Sequence, residues 1–170
     1  IIDAFTALFA SSAYDGVTAA TPLDLFRQNS GMLFEDLMST TPELAGPIAG
    51  LGWDIVNLAF LAGGVWLLRQ RIFTWHAPIG MLAAISLCAL IGYDEGSSAG
   101  GGSVLFHLFS GATMFGAFFI ITDPVSSAVS NKGRLIFGAL VGVLVYLIRV
   151  YGNYPDAVAF GVLLLNFAAP

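Results

Sequence analysis

Five apolar runs, separated by short polar segments, occupy most of the chain: residues 48–68, 77–93, 104–122, 135–151 and 157–170. A helix rises about 1.5 Å per residue, so roughly 20 residues cross a hydrocarbon core about 30 Å thick. The first four runs approach that length, and the fifth is cut off at Pro170. No stretch alternates apolar and polar residues with the period of a barrel strand, and helices are the other fold that satisfies its backbone within lipid. The pattern predicts an all-α membrane protein, a helical transmembrane bundle of about five spans with the last truncated. Residues 1–46 are mixed and form a separate segment ahead of the bundle at 47–170. Within that segment Leu23, Phe26, Leu33, Phe34, Leu37 and Met38 can share one face of helical turns interrupted at Gly31. Thr41-Pro42 and Gly46-Pro47 then punctuate the approach to the first span.

Composition agrees. Hydrophobic residues make up 57% of the 170 and charged residues only 10%, against roughly 25% charged in a soluble domain. The net charge of −5 with six cations excludes nucleic acid as a partner, since no basic face can form. One cysteine, Cys88, rules out an internal disulfide and a cysteine-built metal site, and its apolar surroundings predict a packing role. The cations orient the bundle. Arg69, Arg71, Lys132 and Arg134 lie in two loops, whereas the loops at 94–103 and 152–156 carry none and residues 1–46 carry only Arg27. By the positive-inside rule the two basic loops face the cytoplasm, which puts residues 1–46 outside. Arg149, near the outer end of the fourth run, fits this scheme least; it is expected to snorkel outward or pair with Asp156.

The polar segment contains Asp15-Gly16-Val17-Thr18-Ala19-Ala20-Thr21, followed by Pro22. Small residues keep this backbone open, and Pro22 biases Thr21 toward an extended conformation. A modifying enzyme could reach the Thr18 and Thr21 hydroxyls there. A loop leading into a helix has the same composition, and both readings stand on the residues alone.

The heptapeptide resembles the flavin-attachment motif, Asp-x-x-Ser/Thr-Gly-Ala-Thr, of the RnfD/NqrB family of membrane subunits in bacterial respiratory complexes. Residues 107–124 (HLFSGATMFGAFFIITDP), 131–138 (NKGRLIFG) and 154–160 (YPDAVAF) resemble RnfD in the same order. The resemblance covers nearly the whole chain and is closer to RnfD than to NqrB. It implies that Thr21 carries FMN through a phosphoester bond, installed by a flavin transferase that uses FAD as donor. Asp15, Thr18 and Ala20 are then recognition residues. Ala19 stands where the family most often has Gly. The resemblance further implies the C-terminal half of a longer subunit, about one repeat of a two-repeat fold similar to urea transporters. With no charged region ahead of an apolar core after Ile1, no signal peptide is expected.

Other polar positions invite functional readings. Ser110-Gly111-Ala112-Thr113 repeats the end of the attachment motif but lacks its Asp and lies within a span. It is read as a helix-packing segment or as lining of a flavin pocket. Asp54, with Asn57 on the same face, is either a functional intramembrane acid or a partner of the helix dipole. His107 is expected to pack or hydrogen-bond near the interface. Asp123-Pro124 reads as a helix cap and first turn, in a stretch where the family resemblance makes a cofactor or ion role plausible; Asp156 reads as the cap of the last span. Gly100 to Gly102 follow Asp94 and Glu95, whose charge repels phosphate, and form a flexible connector.

The resemblance implies an FMN-carrying subunit of an ion-translocating oxidoreductase in the bacterial inner membrane, with the flavin on the periplasmic side. Electrons would pass between ferredoxin and NAD, coupled to Na+ or H+ movement. Its partners would be the other Rnf subunits, the flavin transferase and the lipid bilayer; riboflavin is a further cofactor the family suggests. The alternatives are an NqrB-like quinone-reducing subunit, a urea-transporter-like solute channel without redox role, or a structural subunit that has lost its flavin. In whole cells lacking Cys88, an impermeant thiol reagent should label Ser98→Cys and spare Ser130→Cys; the reverse pattern would invert the orientation.

Overall fold

The computed structural model describes residues 21, 23, 24, 28, 36, 48, 52–93, 102–124, 128–152 and 157–168. Among these the regular structure is helical throughout, and no strand occurs. The helices are α1 (Trp53–Arg69), α2 (His76–Ile91), α3 (Val104–Phe109), the single turn α4 (Thr113–Phe115), a π-helical segment (Gly116–Ile120), α5 (Asn131–Tyr151) and α6 (Val158–Ala168). Most of segment 1–46 and of the loops at 94–103 and 152–156 lies outside the described residues, as do Asp15, Thr18, Ala20 and Asp156.

Helix occurs in each of the five apolar runs. α5, with 21 residues and a mean hydropathy of 1.9, is long and apolar enough to cross a bilayer unaided. α1 has 17 residues and α2 has 16. The first helix starts at Trp53 rather than at residue 48, because Gly52 takes a left-handed φ of 84° that ends the preceding backbone. The Asp54 carboxylate there accepts from the Ile48 N–H at 3.2 Å, which satisfies a backbone donor at the helix entry. α5 starts four residues before the apolar run at 135, since the Ser130 hydroxyl caps it by accepting from the Gly133 N–H at 3.0 Å. Ser130 therefore has a structural duty. Val129, 92% exposed, is the better neighbouring position for a topology label.

α2 and α5 form the backbone of the bundle, and glycines let them approach closely. A Cβ on Gly80 would press on the Leu135 carbonyl, one on Gly138 on the Ala77 carbonyl, and one on Gly142 on the Met81 carbonyl. In lipid, where apolar contact with solvent supplies no drive, such backbone proximity and its dispersion contacts hold helices together. Met81, Ile85, Val141 and Val145 fill this seam. Met114 packs on it from α4, Ala117 and Phe118 from the π segment, and Val158 and Val162 from α6. The opposite faces carry exposed Ile55, Leu58, Trp66, Leu87, Leu90, Leu163 and Phe167, the pattern of helices that are apolar all round.

The third run is not one helix, contrary to the expectation of a continuous span over 104–122. α3 stops at Phe109; Ser110 is extended (φ −100°, ψ 152°) and Gly111 takes a φ of 57°. Gly111 permits this left-handed turn at no steric cost. The chain then re-enters helix at Thr113 and loosens into the π segment, where the Ile121 N–H reaches the Gly116 carbonyl at 3.0 Å. Two tight contacts seat that segment: a Cβ on Gly64 would enter the Phe118 ring, and one on Gly116 would meet Val158.

Gly138→Val should lower the unfolding midpoint of the full-length protein in detergent by about 5 °C or more, because backbone on α2 cannot give way. Gly63→Ala should leave it within about 1 °C, as its Cβ meets only Phe119 at an ordinary 3.5 Å. Equal shifts would show that the α2–α5 seam is not held by close approach.

Candidate functional site

Breaking a helix inside an apolar run frees carbonyls that have no water to accept from. Three side chains from three elements supply the donors. Arg149, near the end of α5, directs its guanidinium inward: Nη1 donates to the His107 carbonyl at 2.8 Å, and Nη2 to the Thr113 hydroxyl at 2.8 Å and the Ser110 carbonyl at 3.4 Å. The Thr113 hydroxyl lies within hydrogen-bond reach of the His107 and Ser110 carbonyls, at 2.9 and 3.0 Å. From α1, the Asn57 amide donates to the Phe109 carbonyl at 2.7 Å and to Trp53 in its own helix at 3.1 Å.

The cluster is dry. Thr113 and Ser110 are 0% exposed, Asn57 and His107 1%, and Arg149 6%. Asn57 Oδ1 and Ser110 Oγ are buried with no hydrogen-bond partner among the described residues. The His107 ring lies 5.3 Å from that of Tyr146 on α5 and packs, as expected, against helix. Arg149 does not snorkel outward but turns inward to the carbonyls of the break; the alternative expectation, a pair with Asp156, lies outside the described residues. Thr113 is structural, as one of its two sequence readings held. Asp54 and Asn57 have separate duties, one at the helix entry and one at the break.

At the other end of the bundle lies a cavity of about 350 Å³ between the α1–α2 turn, the π segment and the start of α5. Phe73, Phe118 and Phe119 give it aromatic walls, and Thr74, Thr122, Asp123 and Arg134 give it polar groups. Arg134 is fixed there by donating to the Thr74 hydroxyl at 3.0 Å and the Ala128 carbonyl at 2.9 Å. Asp123 thus lies at a cavity rim; the short helix expected after Pro124 falls outside the described residues. No group of three or more His, Cys, Asp or Glu side chains able to hold a metal occurs among the described residues.

Of the attachment motif, Thr21 alone is described. It is half-buried, and its hydroxyl oxygen accepts from the Asp24 N–H at 3.3 Å while its carbonyl accepts from the same N–H at 2.9 Å. Leu23 and Asp24 are helical, so Thr21 has the capping contacts of a helix start.

Glycine-lined helix seams, an apolar outer surface and a broken apolar run with buried polar caps are those of an all-α membrane protein, in which α5 is the one described helix long and apolar enough to cross a bilayer unaided. Residues 2–170 match the model of the NQR2, RnfD, RnfE family, and the chain belongs to that family. Its sequence is 55% identical over 172 residues to the D component of the ion-translocating oxidoreductase complex of Cellvibrio japonicus, covering 100% of this chain and 48% of that protein. It is 55% identical over 160 residues to the same component from Ectopseudomonas mendocina, covering 94% and 46%, and 51% identical over 158 residues to that from Escherichia fergusonii, covering 92% and 44%. The chain spans about half the length of the curated relatives it matches.

Sequence reasoning flagged Thr113 and Asn57 but missed that they act together with Arg149. An arginine in an apolar run, facing a run interrupted by Ser110-Gly111, was the available signal: an intramembrane charge has a polar partner at its own depth. Thr113→Val should destabilise the subunit by about 1–3 kcal/mol, since it strips one acceptor from Arg149 and one donor from the break. Thr113→Ser should cost less than about 1 kcal/mol in the same thermal unfolding assay. A loss for Thr113→Ser as large as that for Thr113→Val would show that the hydroxyl does not dominate.

Proposed function

We propose that the chain is the FMN-carrying half of a membrane subunit in an ion-translocating oxidoreductase complex of the Rnf type, with FMN bonded to Thr21. Family membership and the names of relatives at 55% identity support the complex; the heptapeptide ending at Thr21 supports the flavin. Bound there, FMN would supply one- and two-electron transfer, while the protein sets its position and electrostatics. A tether also keeps the cofactor from being lost on the exposed side of the membrane.

Thr21 suits this duty. Its oxygen keeps a lone pair on the Asp24 N–H, and a bridging ester oxygen can still accept that bond. The phosphate would then lie by the first N–H groups of a helix turn, where negative charge is stabilised. Asp15, Thr18 and Ala20 are the residues a flavin transferase would read. Electrons would run between ferredoxin and NAD through the partner subunits, coupled to Na+ or H+, in the bacterial inner membrane with the flavin on the periplasmic side. A non-covalent riboflavin is the second cofactor of this reading. The cavity beside Asp123 offers it aromatic walls for its ring and hydroxyl, carboxylate and guanidinium groups for its polar edge.

The full-length subunit, co-expressed with a flavin transferase, should give a fluorescent band after denaturing electrophoresis. Thr21→Ala should abolish it, Thr21→Ser should retain part of it, and Thr113→Val should keep it in full. Absence of an FMN mass on the wild-type peptide containing Thr21, with an active transferase present, would sink the flavin reading.

A further inference from the structure

We propose that the α1–α2 turn and the start of α5 form a docking surface for anionic phospholipid headgroups, held by Arg69, Arg71 and Lys132. The two stretches meet at one end of the bundle, where Arg134 Nη1 donates to the Thr74 hydroxyl at 3.0 Å. Residues 69–76 and 120–134 carry four cations and a single acid, Asp123. Arg134 is committed to Thr74 and to the Ala128 carbonyl, so it braces the surface. The side chains of Arg69, Arg71 and Lys132 are exposed and make no hydrogen bond or ion pair among the described residues. The backbone of Arg71 adds a second observation. Its φ of 58° is left-handed, and it closes the end of α1 in a Schellman turn. The Ile72 N–H donates to the Leu67 carbonyl at 3.2 Å, and the Arg71 N–H to that of Leu68 at 3.0 Å. Glycine fills this position without steric cost, whereas an arginine holds it against its own Cβ. Ending the helix therefore does not account for the residue type, and an outward cation does.

The groups beside the cations select a lipid over a soluble anion or an acidic protein face. Ile72, next to Arg71, is 66% exposed, and Trp75 and Ile79 are exposed further along the same stretch. Trp75 stacks on His76 with ring centroids 4.1 Å apart, and aromatic rings of this kind gather where hydrocarbon meets water. A phospholipid matches both halves: its phosphate meets guanidinium and ammonium groups, and its acyl chains meet the isoleucines. A soluble phosphate leaves the apolar half unmatched, and an acidic protein face sets polar groups against it. Guanidinium groups take phosphate oxygens in pairs, and each cation near an anionic surface adds an attraction that salt screens. Lipid held on both stretches ties the α1–α2 turn to α5 from outside, in support of the bond between Arg134 and Thr74. The inference rests on the membrane reading of the fold and is independent of a flavin on Thr21.

The test uses the full-length subunit in its assembled complex, delipidated in a non-ionic detergent and supplied with phosphatidylglycerol, phosphatidylcholine or glycerol phosphate. Phosphatidylglycerol should raise the wild-type unfolding midpoint by about 3 °C or more, and the other two by less than about 1 °C. Glycerol phosphate acting as well as phosphatidylglycerol overturns the lipid, as does an equal response to phosphatidylcholine. A variant combining Arg69→Gln, Arg71→Gln and Lys132→Gln should lose most of the gain, and keeping all of it overturns the proposal. Release of another subunit by this variant in phosphatidylglycerol assigns the cations to a protein face and overturns it too. Arg71→Gly separates docking from folding: its lipid-free midpoint should equal or exceed that of wild type, because glycine suits the turn, while its gain shrinks. Should the triple variant fail to assemble, Arg71→Gly and Lys132→Gln decide singly. A reduced gain in either supports the surface, and a full gain in both overturns it.

Discussion

A backbone carbonyl in hydrocarbon must find a donor within the protein, and the third apolar run violates the simplest way of meeting that rule. By interrupting its helix at Ser110 and Gly111 it strands the carbonyls of His107, Phe109 and Ser110. The rest of the bundle is arranged to answer them. Asn57 comes from α1, Thr113 from the far side of the break and Arg149 from α5. Leaving one such group unmet costs about 1–3 kcal/mol, so the three helices are bound to one another by polar contacts as well as by packing.

Those contacts work only because the helices are already held in register. The α2–α5 seam, built on Gly80, Gly138 and Gly142, sets where the end of α5 stands. The π segment then seats Phe118 against Gly64 and Gly116 against Val158, which fixes the lower half of the broken span. Packing thus sets the distance from Arg149 to the break, and the hydrogen bonds select its rotamer.

Much of the bundle was legible in the residues, because apolar run length and the scarcity of charge are one-dimensional signals. The helix starts at Trp53 and Asn131 were less so, since a left-handed Gly52 and the Ser130 cap are local events that hydropathy does not register. The break was hidden because 104–122 is apolar throughout. Ser110 and Gly111 look like packing residues until their dihedrals are known. The inward turn of Arg149 was hidden for the same reason: snorkelling outward is the right expectation for a charge near a helix end beside an intact neighbour. The heptapeptide around Thr21 was legible only as a motif, and its resemblance, not its physics, carries the proposal of a flavin there.

The order of the chain gives the break a history. Arg149 is 42 residues beyond the His107 carbonyl that it caps, and the rest of the third run, a loop and most of α5 lie between them. During synthesis the interrupted run therefore leaves the ribosome before the residue that completes it. Thr113 and Asn57 are the partners already made, and together they reach the carbonyls of His107, Phe109 and Ser110. Both lie close in sequence to the break or ahead of it, and their bonds to it persist in the finished fold. Chain order thus makes Arg149 the last of the three side chains to reach the break.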